Sequence, residues 1–176
     1  GKKNRFLVNG SSPKWSPDGT RIAFLAPGKQ GGTQVFVRWM DAEGAVSQVS
    51  RVTDSPSNIT WSPDGNSIAF QMVVPPVDDG LWNIKMPSKP KKADWTANPT
   101  IIERLNYRRD RVGYHPKGYR HIFVISADGG IPHRLTHGNW HHNSFKWMPD
   151  GKAIVFESLR IKDAEYEWRE SEIYSV

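Results

Sequence analysis

A chain of 176 residues, 37% hydrophobic and 24% charged, has the length of one domain and is too apolar to be disordered. No apolar run approaches the roughly 20 residues of a membrane span, and the opening GKKNR lacks the apolar stretch of a signal peptide. Zero cysteines exclude disulfides, thiolate metal sites and a cysteine nucleophile, while a net charge of +6 raises the question of a polyanionic partner.

The first element in chain order is the β-rich run RFLVNG at 5–10. The unit WSPDGTRIAF at 15–24 follows, and it recurs as WSPDGNSIAF at 61–70 and WMPDGKAIVF at 147–156. Proline pre-sets φ near about −65° at the second turn position, aspartate tolerates the third, and glycine takes a positive φ. That is a type I turn closed by a left-handed residue, the connection of a three-residue hairpin with a bulge. The tryptophan side and the Ile-Ala-Phe side are then antiparallel strands. Consecutive apolar positions predict cover on both faces, one face admitting only Ala23, Ala69 or Val155.

Third strands are predicted at QVFVRWMD (34–41), LWNIKM (81–86), HIFVISAD (121–128) and EIYSV (172–176). Fourth strands are predicted at SRVTDS (50–55) and HRLTHG (133–138), each after a turn-rich link, DAEG at 41–44 and ADGG at 127–130. RFLVNG precedes Trp15 as HRLTHG precedes Trp147, so it takes the same outer place. The basic, proline-broken run around 85–92 reads as an exposed linker.

Trp15, Trp61 and Trp147 lie 46 and 86 residues apart. Two steps of 43 place a degenerate copy near 104, within TIIERLNYRRDRVGY at 100–114. Four-stranded units repeating at about 40–50 residues predict an all-β fold, a β-propeller of about four blades of four antiparallel strands. The expected blades are 11–55, 56–98, 99–138 and 139–176, with 5–8 an outer strand of the preceding or closing blade. The segment is expected to be part of a larger propeller; a closed ring of four blades is the alternative.

The WSPDG-x-x-IAF unit, the RLT strand and HIFVISADGGIPHRLTHG resemble the propeller repeats shared by TolB and by serine peptidases of the prolyl oligopeptidase family. The stretch IIERLNYRRDRVGYHPKGYRHIFVISADGG resembles the acylaminoacyl-peptidase and dipeptidyl-peptidase-like branch, where an RLxYRxDG segment stands in for the usual hairpin. The resemblance runs over 6–176. It implies a propeller covering a hydrolase domain of the same polypeptide and restricting entry to short peptides, with no cofactor. It also favours periplasm or secretion over the cytoplasm. No G-x-S-x-G elbow occurs in the chain. No catalytic residue is therefore assigned, and the chain alone is expected not to hydrolyse peptides.

Three clusters invite a binding role. His133, His137, His141 and His142 stand close together without an Asp or Glu among them, which fits packing between blades better than a metal site. The acidic stretch at 163–172 holds Glu165, Glu167, Arg169 and Glu170, suited to a peptide's ammonium group but without an adjacent glutamate pair. Arg108 and Arg109 in YRRD could grip a peptide carboxylate or pair with Asp110. The leading expectation is a propeller that gates a peptidase; a TolB-like interaction scaffold is the alternative. Scattered basic residues argue against nucleic acid, and the expected partners are the hydrolase domain and short peptides.

Overall fold

The structure, a computed structural model, describes residues 4–29, 31–41, 43–76, 87–92, 96, 100–167 and 169–176. The first sheet is a four-stranded antiparallel meander of β1 (Ser11–Trp15), β2 (Arg21–Pro27), β3 (Thr33–Trp39) and β4 (Val46–Gln48). The second joins β5 (Ser57–Trp61) and β6 (Ser67–Val74) to β9 (Tyr119–Ser126) and β10 (His133–Arg134). Between β6 and β9 lies the small hairpin of β7 (Arg108–Arg109) and β8 (Gly113–Tyr114). The third sheet is β11 (Asn143–Trp147), β12 (Ile154–Ser158) and β13 (Glu172–Ser175).

Each predicted hairpin forms, and its turn chemistry is visible. Gly19, Gly65 and Gly151 have φ of 70°, 69° and 69°, and their N–H groups donate to the carbonyls of Ser16, Ser62 and Met148 at 2.9 Å. The Ser16 hydroxyl lies 2.5 Å from Asp18 and accepts from Arg21 N at 2.9 Å. Ser62 repeats both contacts with Asp64 and Ser67 N. The Ser16 hydroxyl and the Thr20 N–H hold the Asp18 carboxyl down at about 2, and the Ser62 hydroxyl lowers Asp64 in the same way.

A further repeat lies on the strand before each tryptophan. Ser12, Asn58 and Ser144, each three residues ahead of it, carry φ of 53°, 50° and 45°. These residues sit where the register of β1, β5 and β11 slips against its partner, so the bulge belongs to the repeat.

Two apolar seams hold the sheets together. Ala23, Leu25, Val35 and Val37 of the first sheet pack against Ile59, Ile68, Phe70 and Phe123 of the second. On its other face, Ala69 and Ile122 meet Phe145, Ile154 and Phe156 of the third. The small central residue of Ile-Ala-Phe thus faces the following sheet and lets its larger side chains approach. Trp61 is 7% exposed and donates from Nε1 to Lys14 O across the first seam at 2.9 Å. Trp15, its equivalent in the first repeat, is 59% exposed; among the described residues no sheet precedes β1.

The expected division of the chain changes at three places. First, HIFVISAD pairs with β6 in full register, Phe70 opposite Phe123 and Ala69 opposite Val124, as Phe24 opposes Phe36 and Ala23 opposes Val37. It is the third strand of the second sheet, so the boundary at 98/99 cuts one blade. Residues 75–118 thus separate two paired strands of one sheet, and the described residues of the 100–114 stretch hold the short hairpin of β7 and β8 where a degenerate repeat was expected. The described residues form three propeller-type sheets where four were expected. The strand expected at LWNIKM lies outside the described residues.

Second, the outer strand of the first sheet is Val46–Gln48, ahead of SRVTDS. Ser50 Oγ accepts from Val35 N at 2.8 Å, as Thr136 Oγ1 accepts from Ile122 N at 2.9 Å. HRLT therefore corresponds to Ser47–Ser50 in space, and a hydroxyl ends the outer pairing in both sheets. Third, residues 4–8 form no strand, and β13 pairs with β12 alone; among the described residues no strand closes a ring.

The third turn has Met148 where the others have serine, so Ala153 N lacks the hydroxyl acceptor that Arg21 N and Ser67 N enjoy. Replacing Ser62 by alanine is expected to lower the melting temperature by roughly 2–6 °C, because a buried donor loses its partner. Met148→Ser is expected to raise it by roughly 1–4 °C. Thermal melts of the two variants measure both, and an unchanged M148S would show that the hydroxyl adds nothing to the turn.

Candidate functional site

Antiparallel order puts the WSPDG-type turns at one end of the sheets and the links from second to third strand at the other. In the first sheet that link is the tight turn at 28–32, closed by Gly28 N donating to Gly32 O at 2.9 Å. In the second it is the insertion at 75–118, and in the third the loop at 159–171. The two long links meet.

Arg104 is where they join. Its Nη1 donates to Gly118 O at 3.1 Å, its guanidinium stands 4.1 Å from the Tyr119 ring centroid, and its Nε lies 3.9 Å from Glu165 Oε1. The other carboxylate oxygen of Glu165 accepts from Leu105 N at 2.8 Å. Gly118 has φ of 132°, and a Cβ there would lie 2.3 Å from Val74 O. Only glycine lets the returning arm of the insertion pass so close to β6.

The hairpin projects beyond this clasp. Arg108 pairs with Tyr114 and Arg109 with Gly113 across it. His115 N donates to Tyr107 O at 2.8 Å, and the Tyr107 and Tyr114 rings lie 6.2 Å apart. Between the two arms is a cleft of about 110 Å³ lined by Ile101, Ile102, Arg104, Tyr107, Tyr114 and Lys117 among others.

The structure separates the predicted site residues. Glu165 is committed to Arg104 and Leu105. Glu167 lends its carbonyl to Glu170 N at 3.0 Å, in the same loop as Arg169. Arg108 and Arg109 are exposed on β7, and among the described residues they pair with no carboxylate, Asp110 included. Arg104 was not singled out in the sequence, although the Arg-Leu pair it begins was visible there. Of the basic linker, residues 87–92 are exposed and the rest lies outside the described residues.

The histidine cluster divides between seam and surface. His133 and His137 are exposed. His142 is fully buried, its ring 4.9 Å from that of His121 and 5.3 Å from Phe156. The buried Gln71 donates to His142 O at 2.6 Å and accepts from Asn58 Nδ2 at 2.6 Å, binding the bulge of β5 to the next sheet. No group of three or more His, Asp or Glu among the described residues could hold a metal.

His121 occupies the place that Gln34 has in the first sheet, beneath the outer strand. Arg134 Nη2 lies 2.8 Å from its Nε2, so that nitrogen accepts and carries no proton. Nδ1 is then the protonated nitrogen, 3.2 Å from Thr136 Oγ1. Burial, with the Arg134 charge second, pushes His121 down to about 3, and burial lowers His142 as well.

With this geometry in place, the chain can be set beside known proteins. No family model matches it. Over 148 residues, 84% of its length, it is 28% identical to the uncharacterized peptidase YuxL of Bacillus subtilis (strain 168). The chain is homologous to a peptidase. It spans 22% of that relative's length. Acylaminoacyl peptidase of Pyrococcus horikoshii superposes with a TM-score of 0.66 at 16% identity, over 98% of this chain and 24% of that one. A putative TolB from Agrobacterium tumefaciens gives 0.53 at 16% identity, over 90% and 43%. The likeness establishes the fold as that of a propeller segment.

A histidine lowered in the folded state contributes stability that is full above its free value of 6.5 and lost as pH falls from there toward its folded value. The urea midpoint is therefore expected to fall between pH 7.5 and pH 5. The variant His121→Gln, which imitates Gln34, keeps both hydrogen bonds and removes part of that fall. Identical pH slopes for variant and wild type would refute the assignment.

Proposed function

We propose that this chain is the non-catalytic propeller segment of a serine exopeptidase or oligopeptidase, which admits short peptides to an α/β-hydrolase domain of the same polypeptide. Homology to a peptidase supports the class, and the absence of a G-x-S-x-G elbow in these residues is consistent with a non-catalytic segment. The observation that carries the gating is the clasp of Arg104 and Leu105 with Glu165. It joins long links from neighbouring blades into one ledge at the end opposite the turns. Glu165 in this reading holds the ledge shut. Glu167, Arg169, Glu170, Arg108 and Arg109 line the approach of a peptide. The TolB-like fold supports the alternative of a scaffold with a protein partner.

A fluorophosphonate probe separates the two. The polypeptide that carries this chain is expected to label on an activated serine while the 176-residue chain does not; absence of labelling in the longer polypeptide would leave the scaffold. In an active polypeptide, Glu165→Ala is expected to raise kcat/KM severalfold for long peptides relative to tripeptides. An unchanged ratio would rule out the gate.

A further inference from the structure

Residues 104–120 hold Arg104, Arg108, Arg109, Arg111, Lys117 and Arg120 against Asp110 alone, in a chain whose net charge is +6. Glu165 answers Arg104. Among the described residues no carboxylate answers Arg108, Arg109, Arg111 or Lys117, and like charges so close repel one another. Such a segment is more stable with an anion bound.

The cleft between its arms tells what sort of anion. At about 110 Å³ it is smaller than the roughly 300 Å³ at which pockets for whole small molecules begin, so it suits one residue of a longer ligand. Ile101, Ile102, Tyr107 and Tyr114 give it apolar wall, and Arg104 and Lys117 line it as cations against the single carboxylate of Glu103. A phosphate would be desolvated against those walls with little return. A single carboxylate beside an apolar side chain matches both features, and a lysine accepts it as a point charge without a fixed angle of approach.

We propose that the cleft of the insertion binds the carboxy-terminal residue of a short peptide, its apolar side chain between the isoleucines and tyrosines and its carboxylate on Lys117. The inference deepens the peptide-gating function and rests on it: the peptide would be held by its free end at the ledge.

The test titrates the 176-residue chain with N-acetyl-Ala-Leu and with the corresponding C-terminal amide, followed by amide chemical shifts. The free acid is expected to bind about tenfold more tightly than the amide, the value of one hydrogen bond to a charged group. Shifts should centre on residues 101–117, and binding should weaken as salt is added. Lys117→Ala is expected to abolish the preference and Lys117→Arg to keep it, both with unchanged melting because the side chain is exposed. Equal binding of acid and amide, binding of neither, or a preference that survives K117A would overturn the site. Labelling by fluorophosphonate is independent of this readout. A longer polypeptide that labels, beside a chain that does not discriminate, discards the cleft and keeps the gate; the reverse result keeps the cleft and discards the peptidase.

Discussion

Successive sheets touch at their turns as well as along their apolar seams, and the rest of the chain is arranged around that contact. A Cβ on Gly65 would stand 3.6 Å from Pro17 Cδ, and one on Gly151 would stand 3.6 Å from Pro63 Cδ. Each turn therefore lays its glycine on the proline of the turn before. Arg21 locks the first pair: Nη2 donates to Gly65 O at 2.7 Å while the guanidinium lies between Trp39 and Trp61, 5.1 and 4.9 Å from their centroids. With the turns stacked, Ala23 and Ala69 are set opposite the large side chains of the following sheet, and a bigger residue there would force the seam apart. The left-handed φ of the turn is what requires glycine at all three positions, and the contact with the neighbouring proline is an ordinary van der Waals one.

What could be read from the sequence was whatever is local to that motif. The turn, the hairpin and the two-sided burial of Ile-Ala-Phe all follow from residues within ten positions of one another. Spacing alone does not distinguish a degenerate copy from a segment that separates two paired strands. Pairing does: Phe123 stacks on Phe70 at 5.8 Å as Phe36 stacks on Phe24 at 5.7 Å, so the strand carrying Phe123 completes the hairpin carrying Phe70. The outer strand was misplaced by three residues for a similar reason. SRVT and HRLT look alike, yet Ser50 and Thr136 are the equivalent residues, because each supplies the hydroxyl that caps the neighbouring strand.

The candidate site was legible only in part. An acidic loop and an arginine pair stand out in any reading of charge, but the contact that unites the two links spans 60 residues, and nothing local announces it. His121 was hidden in the same way, at the head of the apolar run Ile122, Phe123, Val124 and Ile125. Its counterpart Gln34 shows the common demand. A polar side chain at this position must satisfy the buried hydroxyl of the outer strand, through Ser50 Oγ in one sheet and Thr136 Oγ1 in the other. Amide and imidazole both meet that demand, and only the imidazole makes it depend on pH.

The two ends of the sheets differ in how firmly they are fixed. The turn end is bound by contacts between successive turns, by serine hydroxyls and by an arginine between tryptophans. The opposite end carries the links, and lengthening one from the size of 28–32 to that of 75–118 is about three doublings, roughly 2 kcal/mol of closure entropy. The clasp holding these links is a partly exposed ion pair, of a kind that contributes about 0–1 kcal/mol, with one backbone hydrogen bond beside it. Neither contact lies in an apolar seam. Parting of the clasp would therefore cost little free energy and need not disturb Ala69, Phe70 and Phe156, and this is the combination that the proposed gate requires.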